Sequence, residues 1–76
     1  MEIKIYSTPT CPFCQIAKKF FQENNLQFTD YNVAENRQAL EEMISKSGQM
    51  GVPVIEIDGK IIVGFDQEKI KQLVGL

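Results

Sequence analysis

Two cysteines stand three residues apart in Cys11-Pro12-Phe13-Cys14, and they are the only cysteines in the chain. Two thiols at this spacing can pass electrons by forming and breaking a disulfide, provided one ionises and the other can reach it. Pro12 suits the first position of a helix, because the N–H it lacks has no partner there. Cys11 then falls at or just before the helix start. Unpaired N–H donors and the partial positive charge of the helix end stabilise a thiolate at that point. No acidic residue lies between Ser7 and Lys19 to oppose it. Cys14 comes about one turn later, close enough to attack a mixed disulfide on Cys11. The spacing therefore reads as an exposed nucleophile, Cys11, and a resolving thiol, Cys14. Other uses of the pair remain open. A structural staple would close only a tiny loop and remove little chain entropy. Zinc or an iron–sulfur cluster takes about four ligands, so two cysteines would need a second copy of the chain; on one copy no metal site is expected.

Two further stretches have chemistry to offer such a pair. Gly51-Val52-Pro53 opens a strand, and its proline reads either as a simple edge residue or as a cis peptide after Val52. The cis form would turn the Val52 backbone toward Cys11, where it can pair like a strand with an extended substrate. Val63-Gly64-Phe65-Asp66-Gln67 reads either as turn chemistry or as a set of backbone N–H groups at a helix start that receive a carboxylate, with the Asp66 side chain nearby for an amine.

The elements that must position these residues follow from hydrophobic periodicity. Met1, Ile3 and Ile5 alternate with Glu2 and Lys4, predicting a first strand that ends near Tyr6 or Ser7. Ser7 to Thr10 form a loop. A helix from Pro12 carries Ile16, Ala17, Phe20 and Phe21 on its apolar stripe and stops around Glu23 to Asn25. A second strand spans Leu26 to Val33. A second helix runs from about Asn36 to Lys46 with Ala39, Leu40, Met43 and Ile44 inward, and Gly48 ends it. Val52 to Ile57 and Lys60 to Val63 flank Asp58-Gly59, a hairpin signal. A last helix starts at Asp66 as N-cap and buries Ile70, Leu73 and Val74. The helical crossover makes the first two strands parallel, and the hairpin adds an antiparallel pair.

With 76 residues the chain allows one domain, 1–76. So small a domain has a thin core and often leans on disulfides or a metal. With no histidine and two cysteines neither help is at hand, so an efficient apolar core must suffice, for which the 43% hydrophobic content is enough. The net charge of −2 and a single, scattered arginine, Arg37, argue against nucleic acid as a main partner. No apolar run approaches the roughly 18 residues of a membrane span, and the alternating start does not read as a leader. The expectation is a cytoplasmic protein with no membrane partner, in a compartment where a disulfide is a working part.

Tyr6-Ser7-Thr8-Pro9-Thr10-Cys11-Pro12-Phe13-Cys14, then Gly51-Val52-Pro53, then Gly64-Phe65-Asp66, resemble the glutaredoxin family in order and spacing over essentially the whole chain. The resemblance implies an α/β thioredoxin fold in its short form, β-α-β-α-β-β-α, with a four-stranded mixed sheet and three helices. It implies a thiol–disulfide oxidoreductase in which Cys11 attacks, Cys14 resolves and Pro53 is the cis-proline beside them. Pro12, Phe13, Val52, Gly64, Phe65 and Asp66 would receive the substrate. No bound cofactor is implied; glutathione would enter as a co-substrate. Family members commonly carry lysine where this chain has Thr8, and Gly-Gly where it has Val63-Gly64. Gly64-Phe65 and the short C-terminus look more like the NrdH-type redoxins. These take electrons from a thioredoxin-reductase-type flavoprotein and can serve ribonucleotide reductase. The expected partners are thus that flavoprotein or glutathione as donor and disulfide-containing proteins as acceptors, with the chain a monomer. Arg37 matches a region that contacts a glutathione carboxylate in some members, although a solvated helix face is its plainer reading. Lys18, one turn after Cys14 as in many members, reads as keeping that helix face wet. The competing function class is an iron–sulfur cluster-binding or redox-sensing module.

Overall fold

The structure, a computed structural model, describes residues 1–76. It contains β1 (Ile3–Ser7), α1 (Pro12–Glu23), β2 (Thr29–Asn32), α2 (Arg37–Ser47), β3 (Val54–Ile57), β4 (Lys60–Val63) and α3 (Gln67–Val74). The four strands form one sheet in the order β2-β1-β3-β4. β1 runs parallel to β2, with Ile5 opposite Asp30 and Ser7 opposite Asn32. β3 lies antiparallel to both β1 and β4. The expected element order, the parallel crossover and the antiparallel hairpin are all present. No helix is long and apolar enough to cross a membrane.

Strand alternation sends side chains to opposite faces, and two cores result. Ile3 and Ile5 of β1, Ile55 and Ile57 of β3 and Ile62 of β4 meet Ala17, Phe20 and Phe21 of α1 and Ile70 of α3. On the other face Tyr6 and Val54 meet Ala39 and Met43 of α2, with Val33. One face thus carries α1 and α3 and the other carries α2. Each fully buried aliphatic side chain contributes about 1.5–3 kcal/mol, which is how a short chain holds together with both thiols free. Asp58 and Gly59 take positive φ angles of 48° and 87°, the conformation that a two-residue hairpin turn with the right twist requires.

Four boundaries or faces differ from the expectation. Ile16 is 48% exposed: Cys14, Ala17 and Phe21 define the inward direction of α1, and a residue two places after Cys14 is turned about 160° from it. β2 starts at Thr29 rather than Leu26, because the Leu26 N–H still closes the end of α1 on the Phe21 carbonyl at 2.9 Å. β3 starts at Val54 rather than Val52, since Pro53 has no N–H to give to a ladder. Met1 stays outside β1 and is exposed.

A polar brace fastens α2 to its face of the sheet. Lys46 Nζ lies 2.7 Å from Glu56 Oε1 and 3.4 Å from the Tyr6 hydroxyl, which accepts from it. Glu56 and Tyr6 are both buried. The Glu56 hydrogen bond is the main cause that holds the Lys46 ammonium above the ordinary lysine value of 10.5. Because the folded value is raised, the contribution to stability is fully present below pH 10.5 and is lost only as pH climbs through the folded value. Replacing Lys46 with methionine leaves Glu56 buried without its cation, at an expected cost of about 1–3 kcal/mol. Urea denaturation of both proteins should give a constant difference from pH 6 to 9.5 that shrinks at higher pH. A difference that already collapses near neutrality would contradict the brace.

Candidate active site

β1 delivers the chain to one end of the sheet, and residues 8–10 turn it into α1. Cys11 is the N-cap of α1, with extended backbone angles of φ −88° and ψ 114°, and Pro12 takes the first helical position. Its sulfur fills the place that a serine or aspartate oxygen usually occupies. The Cys14 N–H donates to Cys11 Sγ at 3.2 Å, so one of the orphan donors of the helix start is satisfied by the thiol itself. The positive end of the helix points at the same atom. Cys11 Sγ in turn faces the Val52 carbonyl at 3.8 Å.

The two thiols differ in access. Cys11 is half-buried and Cys14 is fully enclosed. Burial pushes the Cys14 thiol up to about 12, from an ordinary 9.0. Its hydrogen bond to Cys11 and the charge of Cys11 add to the rise, while the Thr8 backbone and the Lys18 charge oppose it. At neutral pH Cys14 is therefore a proton-bearing thiol in the reduced protein.

Gly51-Val52-Pro53 and Gly64-Phe65-Asp66 come together beside the cysteines. The Val52–Pro53 peptide is cis, and the Gly64 N–H donates to the Pro53 carbonyl at 2.8 Å. Gly64 has φ +81° with open space where a β-carbon would stand, so the angle and not crowding selects glycine. This bond corrects one expectation: the Gly64 N–H is engaged inside the protein and is not among the groups offered to a carboxylate. Those of Phe65 and Asp66 make no bond within the chain. The Asp66 carboxylate caps α3 by accepting from the Lys69 N–H at 3.2 Å. Phe65 packs edge-on against Phe20 with ring centres 5.7 Å apart, tying the α3 entry to α1. Around this centre Phe13 and Val63 expose apolar surface, and Pro12 is exposed.

Arg37 opens α2 with its side chain 90% exposed, its guanidinium 3.7 Å from Glu41 one turn along. That is the solvated helix face of its plainer reading. Lys18 is a correction. Its side chain is only 18% exposed, and Nζ lies 2.7 Å from Asp30 Oδ2. The buried Ser7 hydroxyl donates to Asp30 Oδ1 at 2.6 Å. No acidic residue flanks the cysteines between Ser7 and Lys19. The parallel pairing of β2 with β1 brings one in from residue 30.

The glutaredoxin family model matches residues 3–62. A glutaredoxin-like 8.6 kDa protein in the rubredoxin operon of Clostridium pasteurianum is 54% identical over 72 residues, 95% of this chain and 96% of that one. Glutaredoxin 3 of Escherichia coli (strain K12) is 38% identical over 64 residues, 84% of this chain and 77% of its own length. Among solved structures, the glutaredoxin-like NrdH-redoxin of Escherichia coli superposes with a TM-score of 0.86 at 26% identity, over 96% of this chain and 95% of that one. The chain belongs to the glutaredoxin family and has the thioredoxin fold, on a scaffold that family uses for redox proteins.

With Cys11 replaced by serine, Cys14 is the only thiol left and burial still dominates its titration. Ultraviolet thiolate absorbance should then show no ionisation at pH 9.0, the ordinary thiol value. A midpoint at or below 9.0 would show that Cys14 is not sealed as described.

Proposed function

We propose that this protein is a dithiol–disulfide oxidoreductase, an electron carrier that reduces disulfides in proteins or small molecules. The observation that carries the reading is the asymmetry of the pair, a half-exposed Cys11 sulfur that caps α1 and an enclosed Cys14 behind it. The Cys11 thiolate attacks one sulfur of the substrate disulfide, forms a mixed disulfide and expels the other sulfur as a thiol. Cys14 then gives up its proton, attacks Cys11 and releases the second substrate thiol, leaving Cys11–Cys14 oxidised. The Val52 backbone, 3.8 Å from Cys11 Sγ, pairs with an extended substrate segment beside Pro53.

A donor must return two electrons to the Cys11–Cys14 disulfide. Glutathione presents two carboxylates and an amine. The Phe65 and Asp66 N–H groups and the Asp66 carboxylate suit the γ-glutamyl end. The glycyl end needs a cation, and Thr8 offers only a hydroxyl. A charge-assisted hydrogen bond is about twice as strong as a neutral one, so the loss is felt. Phe13, Phe65 and Val63 offer instead an apolar rim of the kind that anchors a protein partner. The donor in this reading is a flavoprotein of the thioredoxin-reductase type. The NrdH-like neighbour supports it, and disulfide-containing proteins, ribonucleotide reductase among them, are the acceptors. The site is reached from the cytoplasm in this reading, and the chain works as a monomer.

Cys11→Ser should abolish disulfide reduction, whereas Cys14→Ser should accumulate a mixed disulfide that mass spectrometry places on Cys11. An adduct on Cys14 of the Cys11→Ser protein, formed as fast at neutral pH, would reverse the roles. Thioredoxin reductase should sustain turnover faster than millimolar glutathione with glutathione reductase does. Thr8→Lys should raise the glutathione-dependent rate about fivefold, the value of about 1 kcal/mol of added charge assistance. Fast turnover with glutathione and none with thioredoxin reductase would contradict the choice of donor.

A further inference from the structure

One turn along α1 from Cys14 begins a polar chain that the exchange steps above do not use. Lys18 follows Cys14 by four residues on α1, only about 40° round the helix from it, so both point into the same interface. Lysines usually extend their ammonium to water. Here Asp30 of β2 holds Nζ at 2.7 Å with most of the side chain covered. Asp30 is itself held by the Ser7 hydroxyl of β1 at 2.6 Å. The titratable or charged groups facing Cys14 are Cys11 and Lys18 on α1, with Asp30 behind Lys18. β3 and α3 present Ile55, Ile57 and Ile70 on that face, and the Thr8 backbone contributes a hydrogen bond.

We propose that Ser7, Asp30 and Lys18 form a positioning device that holds a cation one helical turn from Cys14 and so speeds release of substrate from Cys11. This rests on the exchange reading given above. In the resolving step the Cys14 S–H bond breaks and its proton goes to solvent. The Cys14 sulfur bonds to Cys11 Sγ as the Cys11–substrate S–S bond breaks. The substrate sulfur departs with the electron pair and takes up a proton, so Cys14 is oxidised and the substrate sulfur reduced. Before capture, Cys11 opposes ionisation of Cys14 both by its hydrogen bond and by its charge. Once Cys11 is bonded to substrate its charge is gone, while Lys18 stays where Asp30 fixes it. The cation thus acts when the thiolate is needed and leaves Cys14 inert beforehand.

Each tenfold gain in thiolate fraction is partly offset by lower nucleophilicity, leaving a net gain of roughly threefold. The test is stopped-flow reaction with bis(nitrothiobenzoate) disulfide, which frees one coloured thiolate when Cys11 attacks and a second when Cys14 resolves. In Lys18→Met the second release should slow by about three- to tenfold at neutral pH and its pH midpoint should rise. The first release should stay within about twofold. Lys18→Arg should restore the second release, and Lys18→Gln serves if the methionine variant fails to fold. A second release of unchanged rate and pH midpoint overturns the proposal. So does equal slowing of both releases without rescue by arginine, which is the signature of a merely structural brace. A wild-type protein that frees only one coloured thiolate overturns the exchange reading itself.

Discussion

The hydrogen bond from the Cys14 N–H to Cys11 Sγ, 3.2 Å long, is the contact around which the site is organised. A helix start has N–H groups that need acceptors. Most helices answer that need with an oxygen, and α1 answers it with sulfur. The same bond therefore closes the helix and directs a donor at the reactive atom. It fixes the rest by geometry. Cys11 can cap only if Pro12 takes the first helical position and residues 8–10 turn sharply out of β1. With Cys11 as cap, Cys14 is the third helical residue and must face inward with Ala17 and Phe21. One thiol is placed at the surface and the other in the core, three residues apart.

Sheet order brings the other loops to that helix start. β1 lies centrally, between β2 and β3. The segment before β3 therefore ends next to the segment after β1, which sets Val52 against Cys11. The β3–β4 hairpin returns the chain to the same end of the sheet, where the Gly64 N–H meets the Pro53 carbonyl. β2, on the other side of β1, carries Asp30 under α1 to meet Lys18. The two cores keep these segments rigid, with α1 and α3 on one face and α2 braced through Lys46 on the other.

Local signals made much of this readable in the chain itself. Pro12 marked the helix start to within a residue, Asp58-Gly59 marked the hairpin turn, and Asp66 marked the last helix; each acts through its own backbone conformation or cap. Ile16 misled because an apolar residue beside an apolar stripe is not distinguished from it by composition, only by angle around the helix. Arg37 could be read either way, since a surface arginine on α2 pairs with Glu41 one turn along. The role of Gly64 was half legible: its positive φ is a local demand, but the bond to Pro53 depends on a strand that folds back from another part of the chain. Lys18 and Asp30 were the least legible. They lie twelve residues apart and their pairing exists only after β2 docks on β1, so no window of sequence contains the reason that a lysine is covered.

The measurement that bears most directly on this arrangement is the site of first alkylation in the reduced, native protein. Limited iodoacetamide at neutral pH, followed by tandem mass spectrometry of the peptide that holds both cysteines, locates the label. A sulfur that caps α1 at the surface, with its partner sealed at the third helical position, places the first label on Cys11 and leaves Cys14 unmodified until the protein unfolds. Label appearing first, or equally, on Cys14 would contradict the arrangement on which the whole account stands.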